Sequence, residues 1–318
     1  MKKIITIILF CLCGFLYAED ANADKAESDE KPQTQNHIIS LAGIEYLQTD
    51  EDQALLSPSA GLQFMRIMPQ TGLFTLAANY SLDYYKAGFG ADSVKDFHGI
   101  SLMGNYNAGK NTFMAMLASQ GQQPFSDWKT LAGALLYNRQ LVKNDSFSFI
   151  LGGGLIIADV DLKIKDFEVF VLPLPVFSLT YNNYWFKGSL AFMGAPSLQI
   201  TLFPSSLLRF DGSLSLTGID SARNIAFDCA LKCYPFVNKS LGEALSFSAG
   251  LKRAEKTCRL KNKDEYTFNY LSAYGEINAT FISLRCGYNF DGVKLVNKEV
   301  TGPLYNGIFA SANAMLFF

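Results

Sequence analysis

Histidine and tryptophan are nearly missing from this chain, two of each in 318 residues, and charged side chains make up only 18%. With so few imidazoles, acyl-transfer or hydrolytic chemistry lacks its usual base. Charge of one sign is also lacking: 27 basic residues stand against 29 acidic ones, so no field gathers polyanions, and nucleic acid is not an expected partner. No Walker-type, HExxH, EF-hand or CxxC pattern is found, so no cofactor and no metal is expected. From His37 to Phe318 there is no capped stretch of helical period. What remains is 49% hydrophobic and 14% aromatic, with 66 residues of Gly, Tyr and Phe, a mixture suited to strands and turns.

The first eighteen residues read as an export signal. Met1-Lys2-Lys3 is basic, Ile4 to Phe15 is apolar, and Ala18 supplies the small residue before cleavage. The apolar run is shorter than the roughly 20 residues of a spanning helix, which disfavours an uncleaved anchor. Leu12 before Cys13 disfavours a lipid-modified cysteine. Residues 19–36 carry six acidic and two basic side chains and nothing to bury, the composition of a disordered tail. Without signal and tail the body holds 23 basic and 23 acidic residues.

The body alternates with period two. Phe74, Leu76, Ala78, Tyr80, Leu82 and Tyr84 fall on one face, and Thr75, Ala77, Asn79, Ser81 and Asp83 on the other. The pattern recurs through Leu208–Leu216, Ile225–Cys233, Leu245–Leu251 and Ile282–Phe290. Sixteen candidate strands follow, near 38–48, 58–67, 72–86, 96–107, 111–119, 128–141, 145–158, 167–181, 184–195, 196–204, 206–217, 222–235, 242–254, 265–277, 280–290 and 305–318. Fourteen is also compatible, because 196–204 is short, and Pro173 and Pro175 interrupt a ladder unless they lie at an edge or a bulge. Runs of 9 to 15 residues exceed the about 5 to 6 of ordinary soluble strands and match the about 9 to 11 of a tilted membrane strand. Aromatics gather near run ends, as girdles do. Alternate connections are short (69–71, 108–110, 143–145, 182–183, 205), and the stretches 86–96, 119–127, 254–265 and 291–304 read as longer loops.

The last strand carries Ile308, Ala310, Ala312, Ala314 and Leu316 at alternating positions and ends on Phe318. It resembles the C-terminal signal of bacterial outer-membrane β-barrel proteins, and the stretch 172–196 is similar to that of porin-like barrels. The resemblance spans the body from residue 37 to 318 without naming one family. It implies an all-β, transmembrane, antiparallel up-and-down β-barrel of about 14 to 16 strands in the outer membrane, with lipids and the barrel-assembly machinery as partners. Phe318 and Leu316 are the expected assembly signal.

For such a barrel the face opposite the apolar one lines the lumen: Asn79, Asp83, Lys187, Arg209, Asp211, Asp228, Lys232, Arg285, Asn289 and Asp291. Both signs are present, a wall suited to small polar solutes without strong charge selection. The expected function is porin-like passive diffusion, not enzymatic catalysis. The alternatives are a non-conducting surface barrel or a lipid-active protein. His98 shares the outer face with Ile100 and Leu102, and His37 opens the first strand. Asp159 and Asp161 read as a solvated strand end, and Gly152-Gly153-Gly154 as a bulge or close-packing site. The bases at 252, 253, 256, 259, 261 and 263 read as an outer loop. Cys229 and Cys233, about 13 Å apart on one strand, are too distant for a disulfide. Pairing of Cys258 is left open.

Overall fold

The computed structural model describes residues 34–318 except 70, 91–92, 127–130, 158–162, 165–166, 169–170, 194, 217–224, 238–243 and 262–263. The export signal, nearly all of the acidic tail, Asp159, Asp161 and Lys263 lie outside the described residues.

The period-two runs form strands throughout: β1 (Gln35–Gln48), β2 (Ala54–Met68), β3 (Gly72–Phe89), β4 (Val94–Ala108), β5 (Asn111–Gly121), β6 (Leu131–Lys143), β7 (Phe147–Ile157), β10 (Val171–Asn182), β11 (Phe186–Phe192), β12 (Pro196–Leu202), β13 (Leu208–Leu216), β14 (Ile225–Cys233), β15 (Leu245–Arg259), β16 (Glu265–Ala279), β17 (Ile282–Val296) and β19 (Ile308–Phe317). Two short elements, β8 (Lys163–Ile164) and β9 (Phe167–Glu168), pair between β7 and β10, and β18 (Glu299–Pro303) folds back on β17. Each strand pairs antiparallel with the next, and β1 closes the ring on β19, giving a sixteen-strand barrel. The last residue takes part in closure, since Phe318 and Ile38 exchange backbone hydrogen bonds of 2.8 and 3.0 Å.

Closure pairs every barrel strand on both sides among the described residues, as a strand protein surrounded by lipid requires. The outward face is oily on strand after strand: Leu62, Leu76, Leu102, Leu135, Leu155, Leu190, Leu231 and Leu251 are among the exposed side chains. A water-soluble protein rarely exposes an apolar surface so continuous. It is the exterior of a transmembrane barrel. Outward aromatics cluster toward the short turns, where the Phe113 and Tyr137 rings lie tilted at 5.0 Å and those of Trp185 and Phe186 at 5.5 Å. His98 lies on this face too, its Nδ1 2.8 Å from the hydroxyl of Tyr80.

The prolines fit the ladder by parity. Asn182 donates its N–H to Ser146 of the β7 side at 2.7 Å, so even-numbered residues of β10 bond toward β7 and odd-numbered ones toward β11. Pro173 and Pro175 are odd, and β11 ends opposite Phe177. Among the described residues, their missing N–H groups face a direction with no partner strand. The run 196–202 is a paired strand, which makes the count sixteen rather than fourteen. The triple glycine is a packing site and not a bulge: Gly152 and Gly154 lie in continuous register between β6 and β10. A Cβ at Gly152 would meet Asn138 Oδ1 at 2.3 Å, and one at Gly154 would meet Leu136 Cδ2 at 2.5 Å.

Three stretches expected as outer loops are largely strand. β3, β15, β16 and β17 run for 18, 15, 15 and 15 residues, so 86–96, 254–265 and 291–304 shrink to short bends and the β17–β18 hairpin. The alternation that marks the lipid zone stops where these strands leave it, because there Lys86, Asp96 and Glu255 are exposed while Tyr85, Phe89 and Phe97 are buried. The separation into short turns and long loops also has an exception, since the chain from Tyr234 to Ala244 is a long connection on the short-turn side.

Candidate functional site

The interior is occupied unevenly. The extended outer parts of β1–β4 and β15–β19 pack against one another across the mouth, burying Leu47, Leu55, Tyr85, Phe89, Phe97, Cys258, Phe268, Tyr270 and Phe309 in one apolar cluster. Phe89 sits at its centre, with ring centroids 4.3 Å from Tyr85, 4.6 Å from Tyr266 and 5.6 Å from Phe97. Such a cluster excludes water from the part of the mouth it fills.

Beside it the outer end of the β15–β16 hairpin leans inward as a strap and docks on β5, although seven strands separate β5 from β15 in either direction round the ring. Gln122 N–H donates to Arg259 O at 2.9 Å, and Lys261 N–H donates to Gln122 Oε1 at 3.0 Å. Gln120 Nε2 donates both to Thr257 O at 3.2 Å and to Asp83 Oδ2 at 3.3 Å. Lys256 reaches Asp83 on β3 at 2.9 Å and Glu45 on β1 at 3.7 Å. Asp83 is only 2% exposed, so this ion pair is held inside protein.

The remaining charges form a second group on β13–β17. Lys232 pairs with Asp211 across adjacent strands at 2.8 Å. Arg285 is held by Glu276 at 2.7 and 3.0 Å, lies over the Tyr274 ring at 4.3 Å, and approaches Asp228 on non-adjacent β14 at 3.6 Å. Tyr274 donates its hydroxyl to Asp228, and Ser283 donates to Glu276 at 2.9 Å. The Lys252 ammonium lies 4.4 Å from the centre of the Phe309 ring. Lys232 and Arg285 are thus neutralised by acidic partners, while Lys252 rests on a ring.

The ten residues expected at the lumen do not share one environment. Asp211, Asp228, Lys232 and Arg285 join the second charged group, and Asp83 joins the strap latch. Asn79 faces inward and donates to Ser101 Oγ at 3.4 Å, and Lys187 stands exposed near the short turn before β11. Three depart from the expected lumen wall. Arg209 is buried under Tyr234, 3.9 Å from its ring centre, with Nε donating to Ser206 O at 3.2 Å. Asn289 is 1% exposed and accepts from Ser272 Oγ at 2.6 Å inside the packed region. Asp291 sits at a bulge with φ 49°, its side chain 3.9 Å from Arg253, which has the parity of outward Leu251.

Glu45, Lys252, Lys256 and Glu276 escaped the sequence-based set. Glu45 and Glu276 were legible as polar members of alternating runs. Lys252, Lys256 and Arg259 read as a basic outer loop, but they are residues of β15, engaged with Phe309, Asp83 and Glu265. Cys258 is buried and free, and Cys229, Cys233 and Cys286 are free as well.

No protein-family model matches the chain, and the comparison with curated proteins gives no match. Among solved structures, the chain is similar to OccAB4 of Acinetobacter baumannii at 9% identity, covering 92% of this chain and 100% of that one, with a TM-score of 0.41. It is similar to the outer membrane protein opdK of Pseudomonas aeruginosa at 8% identity, covering 90% and 99%, with a TM-score of 0.40. OccAB3 of Acinetobacter baumannii shows 11% identity, 90% and 99% coverage, and a TM-score of 0.32. At such identities no residue role is carried from those proteins to positions of this chain.

Proposed function

We propose that this protein is a porin-like channel of the outer membrane through which small solutes diffuse passively, with membrane lipids around it and solutes as its transient partners. One observation carries the reading: a closed sixteen-strand ring with an apolar exterior and a polar interior that encloses a cavity of about 970 Å³. A ring of this size is wide enough for an aqueous lumen where it is not filled. Asn79, Lys187, Asp211, Asp228, Lys232 and Arg285 are the inward groups a solute meets or passes, and the pairing of Lys232 and Arg285 with carboxylates predicts weak ion selectivity. Nothing in this reading asks for a catalytic group.

Single-channel recording in a planar bilayer tests it, on protein whose folding is established by a heat-dependent gel shift. Discrete steps smaller than those of an unobstructed sixteen-strand barrel are expected, because the apolar cluster and the strap occupy part of the mouth. Silence from folded protein refutes the channel. That same packing favours a second reading, a non-conducting surface barrel, which silence would support.

A further inference from the structure

The charged groups described above leave one part of the interior chemically distinct. Below the strap, the cavity of about 970 Å³ is walled by β1–β6, β16, β17 and β19, a volume at the upper end of the roughly 300–1,000 Å³ usual for small-molecule sites. Among the described residues lining it, Arg259 alone is charged, and it is engaged with Glu265 at 2.6 Å. The inward polar groups are otherwise hydroxyls and amides: Ser59, Asn79, Ser101, Gln120, Asn278 and Asn313.

Glycines set the shape of this wall. A Cβ at Gly61 would lie 2.2 Å from Asn79 Oδ1, one at Gly43 2.5 Å from Asn313 Oδ1, and one at Gly99 2.4 Å from Ser81 Oγ. Each glycine thus lets the polar side chain of the next strand lie flat against the sheet. The cavity is widened, and neighbouring donors and acceptors are held at the strand spacing of about 4.8 Å.

We propose that this cavity binds an uncharged, polyhydroxylated solute of about disaccharide size, which names the solute class of the channel reading and rests on it. Hydroxyls and amides offer both donors and acceptors, so a polyol exchanges its water hydrogen bonds one for one. An ionised solute of the same size would give up hydration there without meeting a free countercharge.

The test is calorimetric titration of the full-length, heat-modifiable barrel in detergent with sucrose, gluconate and glucosamine. Saturable sucrose binding is expected, with both charged probes at least about tenfold weaker, the difference made by roughly 1.4 kcal/mol. Asn79→Leu and the milder Ser101→Ala should each weaken sucrose binding by about three- to tenfold while the gel shift persists, as loss of one hydrogen bond predicts. No sucrose binding, equal binding of the charged probes, or an unchanged affinity in both variants overturns the proposal. Conductance separates it from the channel reading: steps without sucrose binding remove the site and keep the channel, whereas sucrose binding without steps does the reverse.

Discussion

At the scale of single residues, the interior is decided by where small and charged side chains meet. Gly154 has no room for a side chain, since its Cβ would lie 2.2 Å from Leu135 O and 2.5 Å from Leu136 Cδ2. Gly154→Val should therefore destabilise the barrel by about 1–3 kcal/mol, the usual cost of overpacking, seen as a lower urea midpoint in lipid vesicles. Reversal of charge should behave differently at two positions of the same strand. Asp211 is partly exposed beside Lys232, so Asp211→Lys should fold and shift the reversal potential toward anions. Arg209 is 7% exposed and packed on Tyr234, so Arg209→Glu should lower the yield of folded protein instead of tuning selectivity. Alternation identified both as inward residues. It could not separate them, because burial by a following turn residue such as Tyr234 leaves no mark on strand periodicity.

At the scale of elements, the strap is the feature that controls the mouth. Its bonds to β5 are mostly made by backbone groups, and its link to β3 is the enclosed Lys256–Asp83 pair. Lys256→Ala should cost about 3–5 kcal/mol, because Asp83 is left buried without its cation. Replacing both partners, as Lys256→Met with Asp83→Asn, should restore most of that stability while loosening the strap. Larger single-channel steps from the double variant than from the parent protein would verify the strap as the constriction. The prolines of β10 give a separate check on its register. Pro173→Thr should change stability by no more than about 0.5 kcal/mol, whereas Leu174→Pro removes an N–H directed at β7 and should lower the urea midpoint. The strap was misread in the sequence as a basic loop. Lys256 satisfies Glu45 and Asp83, partners more than a hundred positions away, and no local rule reports such contacts.

At the scale of the whole molecule, the ring closes through its last strand, with Phe318 bonded to Ile38. If Leu316 and Phe318 form the assembly signal, deleting Phe318 should reduce the heat-modifiable species in outer-membrane fractions more than it reduces total protein. The strand walls differ in height around the ring, from 18 residues in β3 to 7 in β11 and β12. The tall side carries the apolar cluster and the strap.

The sequence by itself determined the all-β class, sixteen candidate strands and the identity of the lipid-facing positions. Those properties follow from a period of two and from the need to present apolar groups to lipid, both of which are written residue by residue. Only the tertiary structure decided that Phe89, Phe97 and Phe268 meet in one cluster, that Lys256 spans the interior to Asp83, and that Arg259 alone is charged among the described residues lining the cavity. These depend on which strands face one another across the closed ring, a relation between distant parts of the chain that no window of sequence contains.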